Sequence, residues 1–234
     1  MGPNRYVDFV SDDHFLACVK KVCDEYSTTS SDAGMAWLER NGLDSFKMIF
    51  DIMNSNANIS LWIKSETIRQ MDKTISNWIG DFHQALLGGV DGWKDLKKGH
   101  PTGVDLMKND GTKFIELKNK HNTTKGEDLK NVFTKLENIV NSHSGAIAYY
   151  AYITPKNGTS GEEGWKIKHS EPNPRIRKVW GSKVYETITG DPLALKKTWE
   201  KLHSAINEVL GTDFAFNDSD QRKIAEIFKN ALQR

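Results

Sequence analysis

One stretch constrains the fold of this 234-residue chain more than any other: Gly103-Val-Asp-Leu-Met-Lys-Asn-Asp-Gly-Thr-Lys-Phe-Ile-Glu-Leu-Lys118. Two runs that alternate apolar and polar residues flank Asp110-Gly111. Asp-Gly in that setting predicts a β-hairpin with a two-residue type I′ turn. The register that follows pairs Leu106 with Ile115 and sets Asp105 opposite Glu116. Directly opposed residues project to the same side of a sheet, and Lys118, two residues beyond Glu116, projects there too. Two carboxylates and one ammonium therefore share a face.

An Asp directly across from a Glu is unfavourable in a sheet unless a cation lies between them. A hard divalent ion resolves the conflict. Mg²⁺ is held through one or two carboxylates, keeps several waters and completes its shell with substrate phosphate. Asp105 and Glu116 are the candidate ligands, with the backbone carbonyl of Leu117 as a third oxygen. Lys118 would orient or help deprotonate an attacking water, or neutralise charge growing on a phosphorane-like transition state. The bland alternative is an amphipathic hairpin whose surface charges pair Glu116 with Lys118 or Lys113. Val104, Leu106, Phe114, Ile115 and Leu117 argue against it, because they make the hairpin apolar enough for the centre of a sheet.

Asp105, ten intervening residues and then Glu116-Leu-Lys118 resemble the PD-(D/E)xK nuclease superfamily, with Val104 where the motif has Pro. The longer stretch His100-Pro-Thr-Gly-Val-Asp105 with Glu116-Leu-Lys-Asn-Lys-His-Asn-Thr-Thr124 resembles a group of small bacterial type II restriction endonucleases, over residues 80–130. The resemblance implies an α/β fold: a restriction-endonuclease-like core of a mixed central sheet flanked by helices, with a helical N-terminal region. It implies a Mg²⁺-dependent, site-specific deoxyribonuclease acting on double-stranded DNA, and a GC-rich target such as a GGNCC-like sequence. Cutting both strands of a palindrome calls for two active sites, which a two-fold homodimer supplies. Two other readings stand beside it. One is a repair or recombination nuclease that reads DNA structure, and the other is a noncatalytic DNA-binding or protein-interaction module.

The formal charge is only +1, which speaks against a nonspecific DNA-coating protein. Local distribution is more informative. From Trp165 to Lys183 the basic residues Lys166, Lys168, Arg175, Arg177, Lys178 and Lys183 face a single acid, Glu171. Arg175, Arg177, Lys178 and Lys183 are candidate phosphate or base-edge contacts, against the simple reading of a solvated basic loop. The loop after Lys118 offers Asn119, Lys120, His121, Asn122, Thr123 and Lys125, whose amides, hydroxyls and charges suit adenine, guanine or phosphate. Its alternative role is to cap the next helix through Thr123 or Thr124.

Helical spacing covers His14–Glu25, Ala33–Gly42, Leu43–Asn54 and, most clearly, Ile68, Met71, Ile75, Trp78, Ile79, Phe82 and Leu86, a stripe ending at Gly88-Gly89. Asp81 and His83 flank that stripe and are possible additional metal or water contacts. A helix over Glu127–Asn141 then leads to a buried strand over Gly145–Thr154, and strand, strand, helix, strand predicts a crossover to a parallel partner. Asn157–Gly164 reads as a flexible loop, Lys183–Thr189 as a final strand, and Pro192–Leu210 and Asp218–Leu232 as helices. The expected organisation is one nuclease domain over 1–234: a mostly helical 1–87, a catalytic α/β core at 88–190 and C-terminal helices at 191–234.

No apolar run resembles a signal peptide or is long enough to span a membrane. Cys18 and Cys23 lack the spacing of a zinc site or a disulfide scaffold. These features suit a bacterial cytoplasm. Zinc-protease, serine-hydrolase and P-loop signatures are missing from the sequence.

Overall fold

The computed structural model describes residues 4–31, 35–40, 42–97, 99–167 and 173–232. Its contacts divide the chain into two compact units, residues 21–79 and the remainder. Four helices, α1 (Asp12–Ser31), α2 (Met35–Arg40), α3 (Ser45–Ser55) and α4 (Ile59–Gly88), make up the helical N-terminal region that the sequence predicts, and α1 and α4 contribute residues to both units. In the smaller unit α3 begins at Asp44, whose carboxylate accepts the Lys47 N–H, and ends at Asn56 in the left-handed conformation. Both ends thus satisfy backbone groups that the helix itself leaves unpaired.

The larger unit is built on a six-stranded sheet in the order β1-β2-β3-β4-β6-β5. Its strands are β1 (Trp93–Asp95), β2 (Leu106–Lys108), β3 (Lys113–Lys120), β4 (Ile147–Thr154), β5 (Gly161–Gly164) and β6 (Ile176–Trp180). β3 pairs with β4, and β4 with β6, in parallel, while the outer pairings are antiparallel. The mixed sheet agrees with the α/β expectation. A parallel β3–β4 pair needs a crossover, and α5 (Glu127–Ser142) provides it. The apolar face of α5, made by Val132, Phe133, Leu136, Ile139 and Val140, is buried. It packs on the sheet side that carries Phe114, Ala148, Tyr150 and Ile176. Ile115 and Leu117 point the other way, where Lys113 reaches the Thr187 carbonyl at 3.5 Å. α7 (Ala194–Leu210) and α8 (Asp218–Leu232) complete the chain as the sequence predicts. Among the described residues, no helix is long and apolar enough to cross a membrane.

Four local expectations are corrected. The hairpin register is the predicted one, with Leu106 opposite Ile115 and Met107 opposite Phe114, but the turn is not type I′. Only Gly111 has a positive φ, 70°, whereas type I′ needs two such residues. The connection is instead the four residues Asn109–Thr112, closed by the Gly111 N–H to the Lys108 carbonyl and by Thr112 on the Asp110 carboxylate. A four-residue and a two-residue connection centred on the same peptide bond leave the register unchanged. Lys183–Thr189 lies in a helix, α6 (Ser182–Thr189), rather than a strand. Val184, Tyr185 and Ile188 are buried there at helical spacing, and the left-handed Gly190 ends the helix; the β-branched composition of the segment concealed this. Part of the expected 157–164 loop is the edge strand β5, whose backbone pairs with β6 although its sequence, Gly-Glu-Glu-Gly, has no apolar alternation. Finally, no Thr caps α5: its N-cap is Gly126, without a side-chain cap, and Glu127 and Asp128 complement the helix dipole in the first turn.

Candidate active site

β3 is buried from Phe114 to Leu117, so its alternation fixes where each charge points. Glu116 and Lys118 project to the α5 side, in step with Phe114. Asp105, immediately before β2, donates its backbone N–H to the Ile115 carbonyl at 3.0 Å and accepts the Leu117 N–H on its carboxylate at 2.7 Å. These two bonds straddle Glu116 and bring the Asp105 side chain to the same place. The three residues predicted to converge do so. Lys118 Nζ lies 2.7 Å from Glu116 Oε1 and 3.9 Å from Asp105 Oδ2.

A fourth charged group completes the cluster. Lys135, on α5, donates to Glu116 Oε2 at 2.5 Å and to the Gly103 carbonyl at 2.6 Å. The backbone is shaped to receive it. Gly103 has φ 67°, a conformation that favours glycine, and a Cβ there would lie 3.1 Å from the Lys135 side chain. Sequence reasoning missed Lys135. The available signal was a polar stripe on α5, in which Asp128, Asn131 and Lys135 recur at three- and four-residue steps beside the apolar face. Those residues, with Glu116, Lys118, Thr123, Thr124 and Val132, line a cleft of about 450 Å³.

Glu116 is only 5 % exposed. Burial, then the charge of Glu116, push the Asp105 carboxyl up to about 6, against the pull of Lys118, the Leu117 N–H and Lys135. Burial alone would lower Lys118, but Glu116 and Asp105 outweigh it and raise the ammonium above its ordinary range. On β4, Tyr150 pairs with Glu116 in the β3–β4 register, and its hydroxyl is buried without a hydrogen-bond partner among the described residues.

No group of three or more His, Cys, Asp or Glu side chains able to hold a metal occurs among the described residues. The candidate donors are the two carboxylates brought together here and, as the sequence expects, the Leu117 carbonyl, whose N–H bonds Asp105. That all-oxygen set suits a hard cation that keeps its waters, and is wrong for a closed zinc site. Burial and, after it, repulsion from Glu116 raise Asp105, and a cation between the two carboxylates would relieve the repulsion.

The other candidate residues are placed as follows. Lys120, His121, Asn122, Thr123 and Lys125 are exposed, Thr123 at the cleft itself, and Asn119 is half-buried. The His121 N–H is tied to the Thr154 carbonyl, and the Thr123 hydroxyl to the Lys120 carbonyl. In the basic segment, Arg175 donates to the Val140 carbonyl near the end of α5. Arg177 forms an ion pair with Glu162 across β5 and β6, Lys178 lies over the Trp165 ring, and Lys183 pairs with Glu186. Lys168 and Glu171 fall outside the described residues. Asp81 is half-buried on α4. His83 is engaged elsewhere: its Nδ1 lies 2.7 Å from the Tyr185 hydroxyl, its ring meets Tyr185 edge-on, and burial lowers it to about 4.

The chain is a restriction endonuclease of the PD-(D/E)xK type, and the Asp105 and Glu116-Leu-Lys118 that carry that resemblance in the sequence meet beneath the crossover helix of the mixed sheet. Comparison with known proteins narrows the class. The family model described as Eco47II restriction endonuclease matches residues 7–211, and the chain belongs to that family. Among curated relatives, the type II restriction enzyme Sau96I of Staphylococcus aureus is 29 % identical over 97 % of this chain and 90 % of its own length. The type II restriction enzyme Eco47II of Escherichia coli is 30 % identical over 87 % of this chain and 88 % of its own length.

Proposed function

We propose that this restriction endonuclease hydrolyses a phosphodiester in each strand of a short palindromic duplex site, uses Mg²⁺, and works as a homodimer. The observation that carries the reading is the convergence of Asp105, Glu116 and Lys118 on one sheet face, with Asp105 pushed up to about 6 by burial and by Glu116. Asp105, Glu116 and the Leu117 carbonyl would hold the cation, which supplies charge stabilisation at the phosphoryl oxygens. Water attacks phosphorus and passes a proton to bulk water, the bond to the 3′ oxygen breaks, and a second water protonates that oxygen. The products are a 5′-phosphate and a 3′-hydroxyl. The raised ammonium of Lys118 favours orienting the water and balancing the growing charge over acting as a base.

The exposed Lys120, His121, Asn122, Thr123 and Lys125 would read or hold DNA as it leaves the cleft, with half-buried Asn119 at their base. Arg177, Lys178 and Lys183 would contribute phosphate contacts, each in exchange for its present partner. Arg175 supports the end of α5, so Arg177→Ala is the cleaner probe of this surface: if Arg177 reads a base, binding weakens by about 1 to 3 kcal/mol, and unchanged affinity removes it from the interface.

The decisive experiment incubates the protein with long unmethylated duplex DNA, in Mg²⁺ or in EDTA, beside Lys118→Ala. Discrete fragments that need Mg²⁺ and vanish in the variant are expected, and sequencing their ends yields the target. DNA left intact across divalent metals would overturn the reading.

A further inference from the structure

We propose that Lys135 is a positioning residue that occupies the Glu116 carboxylate in the place of a divalent cation, and that the cation must displace it; this rests on the nuclease reading of the site. Glu116 has two carboxylate oxygens, and both are taken: Oε1 by Lys118 at 2.7 Å and Oε2 by Lys135 at 2.5 Å. Each oxygen keeps a second lone pair, but a divalent cation approaching either one meets an ammonium already there, and moving one ammonium away removes that repulsion. The two lysines are not equivalent. Lys118 is fixed by β3, two residues from Glu116, and also faces Asp105. Lys135 reaches in from α5 on a flexible four-carbon stem and holds a second acceptor, the Gly103 carbonyl at 2.6 Å. It can therefore let go of Glu116 and stay bound at the rim of the cleft.

The charge balance gives the purpose. Asp105 and Glu116 carry two negative charges, and Lys118 and Lys135 carry two positive ones. The buried carboxylates are thereby compensated in the cation-free protein, where a lone buried charge would be costly. The same compensation opposes a divalent ion. Removing the Lys135 charge leaves Asp105, Glu116 and Lys118 with one net negative charge, and a divalent cation would be attracted to that cluster strongly in a partly buried setting.

The test is a calorimetric titration of Mn²⁺ into the DNA-free protein, so no cleavage is involved. Lys135→Met and Lys135→Gln both remove the charge and are expected to bind Mn²⁺ on the order of tenfold more tightly than wild type. Lys135→Arg keeps the charge and should bind Mn²⁺ as wild type does. A lysine that merely braced Glu116 would give the opposite sign, because its loss would loosen a ligand and weaken binding. Unchanged or weaker affinity in both neutral variants overturns the proposal. Asp105→Asn separates this failure from that of the site: if Mn²⁺ affinity is unaltered in Asp105→Asn, the cation is held elsewhere, and the nuclease site falls together with the role of Lys135.

Discussion

Glu116 in the sheet and Glu66 in the smaller helical unit are each 5 % exposed, and each is held by two cationic side chains. Both also line clefts, of about 450 Å³ at Glu116 and about 570 Å³ at Glu66. By burial, pairing or cavity size they look alike. Their electrostatics differ. Glu66 accepts from Arg69 Nε at 2.8 Å, Gln70 at 3.0 Å and Lys47 at 3.5 Å, and these bonds, Arg69 foremost, pull it down to about 2. Its neighbour Asp51 is lowered as well, by Lys47 and then the Trp62 indole. Every perturbed carboxylate there is stabilised in its charged form. In the sheet, Asp105 goes the other way, up to about 6. A carboxylate held in unfavourable company marks a site built to receive something, whereas one settled among its partners marks structure.

The largest expected effect lies on the sheet side. Asp105→Asn, Glu116→Gln and Lys118→Ala should each reduce Mg²⁺-dependent cleavage of duplex DNA by about 10³-fold or more, since each removes a charge that the transition state requires. Glu66→Gln should cleave DNA at close to the wild-type rate, measured at a temperature well below its melting point. A Glu66→Gln enzyme as inactive as Glu116→Gln would place both clusters in the chemistry.

The sequence made the sheet cluster legible because a hairpin register depends on a few local residues. Asp110-Gly111 centred the turn, and alternation did the rest, so Asp105, Glu116 and Lys118 could be placed on one face without any tertiary information. Lys135 could not be placed in the same way. Its contact with Glu116 spans 19 residues and depends on how α5 crosses the sheet, which no local pattern encodes. Lys47 and Arg69 lie on helices that the sequence did indicate, but Glu66 precedes the stripe that begins at Ile68, in the part of α4 from Ile59 onward that the spacing left unmarked, and nothing there signals a buried Glu. Lys183–Thr189 shows the opposite failure: its Val, Thr and Ile residues favour a strand in isolation, and packing of Val184, Tyr185 and Ile188 prevails as a helix.

Stability against pH separates the clusters next. Glu66 is depressed in the folded state, so its contribution is present above the ordinary glutamate range near 4.5 and is lost as pH falls through about 2. Discounted for the exposure of Lys47 and Arg69, it amounts to about 2 kcal/mol. Glu66→Gln should therefore lower the melting temperature at neutral pH by roughly 4 to 8 °C, and wild type and variant should converge as the pH approaches 2. A constant difference across that window would show that Glu66 acts through packing and not through its charge.

The smallest effect has the opposite sign. In EDTA at pH 7.5, Asp105→Asn should stabilise the protein, by about 1 kcal/mol. The amide oxygen can still accept the Leu117 N–H, the attraction to Lys118 is lost only at 3.9 Å, and neither the burial of a charge nor the repulsion from Glu116, which together raise Asp105, any longer counts against the fold. Folding holds this carboxyl above its unfolded value, so at pH 7.5 the native state bears the cost of ionising it, and Asn does not. Added Mg²⁺ should reverse the ranking, because a ligand that binds only the native state stabilises it by mass action, and Asp105→Asn has lost a ligand for it. Melting curves of the two proteins, with and without Mg²⁺, read both signs. If Asp105→Asn melts below wild type in EDTA, as Glu66→Gln should, then Asp105 and Glu116 form an ordinary salt-bridge network with the lysines and both carboxylates are structural.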